Sequence, residues 1–223
     1  MNKIKLGILY VLLIGGGIWH VLGVFDTLMR FMAAPLIIGL GIWLFLENWA
    51  VNSKSNELRS EGKHQLFLWS LFVIITSMFI EALGVNTGLI FGKYEYGHTL
   101  PPYIGGVPVA IGFAWLTMLF SSAGIVRHLL PEFMTKRSWV QILLIGLFMT
   151  LFDFFMEPAA TKMGYWTWQA NKIPLQNYLA WFLISIIFAW LGHYSRVLKG
   201  KVSKFGFHAY FAQLVYFVLI YLS

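Results

Sequence analysis

Seven apolar runs, each close to the length of a bilayer crossing, alternate with short polar connections along the whole of this chain. A hydrocarbon core takes roughly 20 residues of helix, and the runs at about 5–25, 30–47, 65–85, 107–126, 138–157, 177–195 and 207–222 meet or approach that length. The pattern predicts an all-α fold: a polytopic membrane helix bundle of about seven transmembrane helices, forming a single integral membrane domain over residues 1–223. The first run follows Lys3-Ile4-Lys5 in the manner of a signal peptide. It is long, lacks a small-residue cleavage site and is followed by six more runs, so it reads as a retained span.

Composition agrees with this picture. Hydrophobic residues make up 59% of the chain and charged residues 11%, more apolar surface than a soluble domain of this size can hide. The chain has no cysteine, which removes disulfides, thiolate nucleophiles and cysteine-ligated metal or iron–sulfur sites from consideration. The net charge of +7 does not point to nucleic acid, because the basic residues sit in the short connections. One side collects Lys3, Lys5, Lys54, Arg59, Lys63, Arg127, Lys136, Arg137, Arg196, Lys199, Lys201 and Lys204, twelve in all, against four (Arg30, Lys93, Lys162, Lys172) on the other. By the positive-inside rule this predicts a cytoplasmic N-terminus and an external C-terminus in the cell membrane. An even number of spans would destroy the asymmetry.

Two external connections are dense in glycine, proline and aromatics, and they share a plan. Glu81 precedes Tyr94 by 13 residues and Tyr96 by 15; Asp153 precedes Trp166 and Trp168 by the same intervals. Pro108 lies seven residues before Trp115, and Pro174 seven before Trp181. Each unit (about 65–126 and 138–195) thus has a carboxylate late in the outgoing helix, a glycine and an aromatic-x-aromatic motif in the loop, and a proline opening the returning helix. Proline is apt there because its missing N–H is not needed at a helix start. The spacing predicts a parallel internal repeat of helical hairpins, with Glu81 and Asp153 at equivalent depths facing each other. Singly, each ring reads as an interfacial anchor; the shared spacing favours a site.

Ionisable groups within a span are costly and face the bundle interior. Asp26, Glu81, Glu95, Asp153 and Glu157 fall on or near the external half, with Glu95 in a loop and Glu47 an interfacial charge at the inner end of the second run. Asp153 and Glu157 are four residues apart and share a helical face. Either they sit together, so that joint ionisation is disfavoured and one serves as a proton donor, or Glu157 lies among headgroups and pairs with Lys162. His20 and Arg30 are also near the external side. His20 with Glu81 and Asp153 makes a metal site conceivable, but no ligand spacing supports one, so no metal and no cofactor is expected. Acids among Trp, Tyr and Phe in an apolar pocket suit protonation of an alkene, with ring faces steadying the cation and a second carboxylate orienting water or offsetting charge.

The run Glu81-Ala82-Leu83-Gly84-Val85-Asn86-Thr87-Gly88, then Phe91-Gly92-x-Tyr94-x-Tyr96, Gly106-Val107-Pro108 with Trp115, and Asp153 with Pro158, Trp166-x-Trp168, Pro174, Asn177 and Trp181, resembles the CruF-type membrane carotenoid hydratases over roughly residues 75–195. The pattern departs at Ala180, where the resemblance calls for glycine. It implies an enzyme, a hydro-lyase that adds water across the terminal isopropylidene double bond of an acyclic carotenoid end group, as in lycopene, γ-carotene or longer relatives. By position it makes Glu81 and Asp153 the catalytic pair; the neighbouring Glu157, by disfavouring ionisation of Asp153, points to Asp153 as the acid and Glu81 as the ionised partner, with the reverse assignment left open. Asn86, Tyr94, Tyr96, Trp115, Glu157, Trp166, Trp168, Asn177, Trp181 and His20 would line the substrate pocket. The expected partners are a lipid-soluble carotenoid, membrane lipid and other enzymes of the same pathway. A membrane lycopene cyclase would use the same acid without water, and a proton-coupled transporter also fits paired acids at a repeat interface. A retinal-binding protein fits poorly, since Phe207 to Ser223 contains no lysine.

Overall fold

In a computed structural model that describes residues 2–53 and 61–223, seven helices are long and apolar enough to cross a membrane. They run over Lys3–Val21, Asp26–Asn52, Glu61–Thr87, Val109–His128, Ser138–Lys162, Leu175–Tyr194 and Lys204–Leu222, and are called the first to seventh spans here. This is a multi-pass membrane protein. Lys54 and Arg59, two of the cations in the topological tally, lie outside the described residues.

The fourth span is the axle of the bundle, buried along nearly its whole length. The second, third, fifth and seventh spans pack around it. Its closest neighbour is the seventh span, where Gly124 and Gly206 face each other: a Cβ on Gly206 would lie 2.6 Å from the Phe120 carbonyl, and one on Gly124 2.5 Å from the Phe207 amide. Lipid offers no hydrophobic drive for helices to associate, and small residues that let backbones meet supply the van der Waals contact instead. The first span packs along the seventh and the second along the fourth, so these two outer spans straddle the central pair. A π-turn at Val11–Gly15 interrupts the first span.

Several spans run past their expected ends. The second begins at Asp26 rather than near 30, which puts Asp26 and Arg30 one turn apart on an exposed face, where they pair at 3.0 Å. The third continues to Thr87 and the fifth to Lys162, through Pro158. The connections between spans are not all irregular. Strands β1 (Tyr94–Tyr96), β2 (Tyr103–Ile104), β3 (Val107–Pro108) and β4 (Trp166–Trp168) lie in the two aromatic-rich loops, with β2 paired to β3 inside its own loop.

The pairing of β1 with β4 joins the two hairpins. The strands are antiparallel, with Tyr94 opposite Trp168, Glu95 opposite Thr167 and Tyr96 opposite Trp166. The ladder is flanked by two bonds that are images of one another: the amide of Gly97, just after β1, donates to the carbonyl of Tyr165, just before β4, at 2.9 Å. The amide of Gln169, just after β4, donates to that of Lys93, just before β1, at 3.0 Å. Both strands are entered through a left-handed glycine, Gly92 (φ 102°) and Gly164 (φ 70°), a conformation that L side chains resist. Pro108 and Pro174 both stand at the N-cap of the returning helices, and Trp115 stacks on Trp181 with ring centroids 4.0 Å apart and planes inclined by 13°. These contacts are what a two-fold relation between the hairpins predicts.

Candidate active site

Because side chains alternate along a strand, the β1–β4 ribbon turns Tyr94, Tyr96, Trp166 and Trp168 inward and Glu95 and Thr167 outward. The inward rings roof a cavity of about 360 Å³ between the spans. Two carboxylates line it, Glu81 from the third span and Glu157 from the fifth, together with Asn177, Trp115 and Trp181.

Glu81 is held by three donors from its own half. The Tyr94 and Tyr96 hydroxyls donate to Oε2 at 2.5 and 2.8 Å, and Trp115 Nε1 donates to Oε1 at 3.0 Å. A carboxylate accepts on both oxygens and donates nothing, so this donor set fits the ionised form. Burial, and next the adjacent Glu81 charge, push the Tyr94 and Tyr96 hydroxyls well above the usual phenol range, which keeps them as donors at any physiological pH.

The second half is built differently. Trp166 Nε1 and Trp168 Nε1 donate to Glu157 Oε2 at 2.9 and 2.7 Å. Asp153, the positional mate of Glu81, receives only Asn177 Nδ2, at 2.8 Å on Oδ2, and its Oδ1 has no partner. The difference follows from side-chain reach. An indole N–H lies closer to its own backbone than a phenolic hydroxyl, so the acceptor must sit nearer the ribbon. Glu157 is four residues, about 6 Å of helix, further along than Asp153. Asn177 bridges the two acids, with its Nδ2 also 3.5 Å from Glu157 Oε1.

Of the residues expected to form the site, Glu81, Tyr94, Tyr96, Trp115, Glu157, Trp166, Trp168, Asn177 and Trp181 line the cavity. Three do not. Asp153 is fully buried (0% exposed) one layer behind the cavity wall. Asn86 lies within the last turn of the third span, exposed, with its side chain bonded back to the Ala82 carbonyl at 2.7 Å. His20 is off the wall as well; the first span contributes Leu9, Leu12 and Leu13, the last two from within the π-turn, whose extra residue shifts the rotation of the turns beyond it. Glu157 does not sit among headgroups with Lys162. It is 3% exposed, and Lys162 Nζ instead bonds the Ile220 carbonyl and Ser223 Oγ, each at 3.2 Å. Sequence reasoning missed Tyr165 and Met156, which also line the cavity. Phe91 lines it too and stood in plain view within the Phe91-Gly92-x-Tyr94 motif. Among the described residues, no group of three or more His, Cys, Asp or Glu side chains is placed to hold a metal.

Comparison with known proteins adds to this geometry. Residues 29–222, which contain every cavity carboxylate, match a family described as carotenoid biosynthesis protein. The chain belongs to that family. Bisanhydrobacterioruberin hydratase of Haloarcula japonica is 29% identical over 108 residues, a stretch that takes in 47% of this chain and 36% of that relative. The chain thus aligns with only about a third of the curated protein it matches. No solved structure matches it. Its seven spans are long and apolar enough to put it in contact with membrane lipid.

Proposed function

We propose that this protein is a carotenoid hydratase, adding water to the terminal isopropylidene double bond of an acyclic end group. The observation that carries the reading is that two carboxylates with unlike hydrogen-bond sets, Glu81 and Glu157, face one aromatic-walled cavity. The family supports a role in carotenoid biosynthesis, and the hydratase relative supports hydration as the reaction class.

In this reading Glu157 is the acid. Its Oε2 accepts both indole N–H groups, while Oε1 has only a 3.5 Å approach from Asn177 and is free to carry a proton. Two buried carboxyls joined by one amide do not ionise together readily, so Glu157 and Asp153 hold a proton between them. Transfer of that proton to the terminal =CH carbon forms a C–H bond and leaves a tertiary carbocation. The faces of Trp166, Trp168 and Tyr94 stabilise this cation through their ring quadrupoles, and ionised Glu81 offsets its charge. Water attacks the cationic carbon, a C–O bond forms, and the proton that the water releases returns to the Glu157–Asp153 pair. The sum is alkene plus water to tertiary alcohol, with no change of redox state.

The test is expression in a lycopene-accumulating bacterial host, with the pigments separated by chromatography and weighed by mass spectrometry. A more polar pigment heavier by one water is expected. A product of unchanged mass would transfer the site to cyclisation, and no new pigment from inserted protein would end the lycopene reading.

A further inference from the structure

The cavity does not stop at the acids. From beneath the ribbon it continues as a cleft walled by Leu12 and Leu13 of the first span and Met29, Leu36, Gly39 and Trp43 of the second, among others. From Met29 to Trp43 the second span advances about 21 Å at 1.5 Å per residue, most of the depth of a bilayer core of roughly 30 Å. The floor is the fourth and seventh spans, which contribute Met118 and Phe217. The lining along this stretch is almost wholly apolar.

The two walls are pinned at both ends and apart in between. At the outer end the short turn between Val21 and Asp26 ties them; at the inner end Lys5 Nζ bonds Glu47 Oε1 at 2.5 Å. Between these ties each span packs on its own central partner rather than on the other. Leu12 (49% exposed) and Leu36 (37% exposed) line the cleft and also face the membrane, so the cleft is open sideways to lipid. At its middle, a Cβ added to Gly39 would meet nothing within 4 Å.

We infer that the slot between the first and second spans is the entry and seat for the polyene chain of the substrate, with Gly39 keeping it wide enough for a rigid conjugated tail. This rests on the hydratase reading and adds to it where the chain lies and how it arrives. The cavity of about 360 Å³, slot included, does not enclose a long, stiff, apolar molecule whole; its polyene chain needs a channel continuous with the acids and open to the phase in which it dissolves. The slot has both properties, and its length matches a conjugated chain spanning the bilayer rather than the end group alone. It also predicts that a single end of the substrate enters per binding event.

The test is Gly39→Trp, with Gly7→Trp as the control: Gly7 also has nothing within 4 Å of a built Cβ and lies off the cleft. Both variants are expressed in lycopene-accumulating cells. Two quantities are read per mole of purified protein: hydrated product, and lycopene that co-purifies, measured by its visible absorption. Gly39→Trp is expected to lower both at least tenfold, while Gly7→Trp leaves both within twofold of the parent. A short acyclic isoprenoid hydrocarbon with the same end group should be hydrated by Gly39→Trp as by the parent. Equal co-purification in parent and Gly39→Trp overturns the slot, whatever the turnover. Co-purification that is lost in Gly39→Trp without any turnover in the parent keeps the slot and removes the hydratase reading. Neither pigment binding nor turnover in the parent removes both.

Discussion

Glu157→Gln separates the catalytic from the structural duty of one side chain. The amide keeps a carbonyl oxygen where Glu157 Oε2 now accepts Trp166 Nε1 at 2.9 Å and Trp168 Nε1 at 2.7 Å, and its NH2 replaces the carboxyl O–H. It therefore imitates the protonated acid and should cost the fold less than about 1 kcal/mol. It has no proton to give. General acid catalysis is worth about 10²–10⁴ in rate, or about 3–5 kcal/mol of barrier, and that is the expected loss in hydrated product per mole of inserted protein. Glu157→Leu differs in kind, because it strands two buried indole N–H donors at about 1–3 kcal/mol each and should lower folded yield as well as turnover. Asp153→Asn preserves an acceptor for Asn177 and should reduce turnover less than Glu157→Gln. Glu157→Gln within tenfold of the parent, with Asp153→Asn the more damaging change, would refute the assignment and make the acid behind the wall the donor.

Two further outcomes follow from the hydrogen bonds of the first half. Glu81→Leu would orphan the Tyr94, Tyr96 and Trp115 donors, a loss of about 3–9 kcal/mol at about 1–3 each; the yield of monodisperse protein in size-exclusion chromatography should collapse, whereas Glu81→Gln should give folded protein with little turnover. The raised Tyr94 and Tyr96 hydroxyls set an alkaline limit. Above the ordinary phenol value of 10.0 the unfolded chain releases these protons and the folded one keeps them, so stability falls as pH rises past 10, by about 1.4 kcal/mol per pH unit for each group. A thermal midpoint flat to pH 10 and falling beyond it, with a shallower fall in Tyr94→Phe, is the expected result.

The spans were legible because crossing a bilayer demands a long apolar run, and such a run is written residue by residue. The proximity of the two hairpins was legible for a related reason: Tyr94 and Tyr96, Trp166 and Trp168 stand at matched distances from an acid. Matched spacing along the chain, however, does not fix which acid a ring reaches. Tyrosine and tryptophan carry their polar atoms at different distances from the backbone, and so the acceptor slid from Asp153 to Glu157. His20 and Asn86 were placed at a suitable depth, but depth leaves rotation about the helix axis open, and a π-turn or one extra helical turn is enough to point a side chain elsewhere. The slot beside Gly39 left no trace in hydropathy, because apolar residues facing lipid and apolar residues facing an apolar cavity are the same residues. Which spans neighbour one another is set by close contacts such as Gly124 against Gly206, and these are decided across the bundle, not along the chain.

The ribbon also makes the outer loops unusually intolerant of length change. Surface connections ordinarily absorb an inserted residue at small cost. Here both strands are only three residues long and present their rings on every second position. One residue added between Gly92 and Tyr94, or between Gly164 and Trp166, would exchange odd for even and send two rings out to water while bringing Glu95 or Thr167 in. Grafting or shuffling of these loops between relatives therefore has to conserve parity, and a hinge for swapping segments belongs on the opposite, lysine-rich end of the molecule.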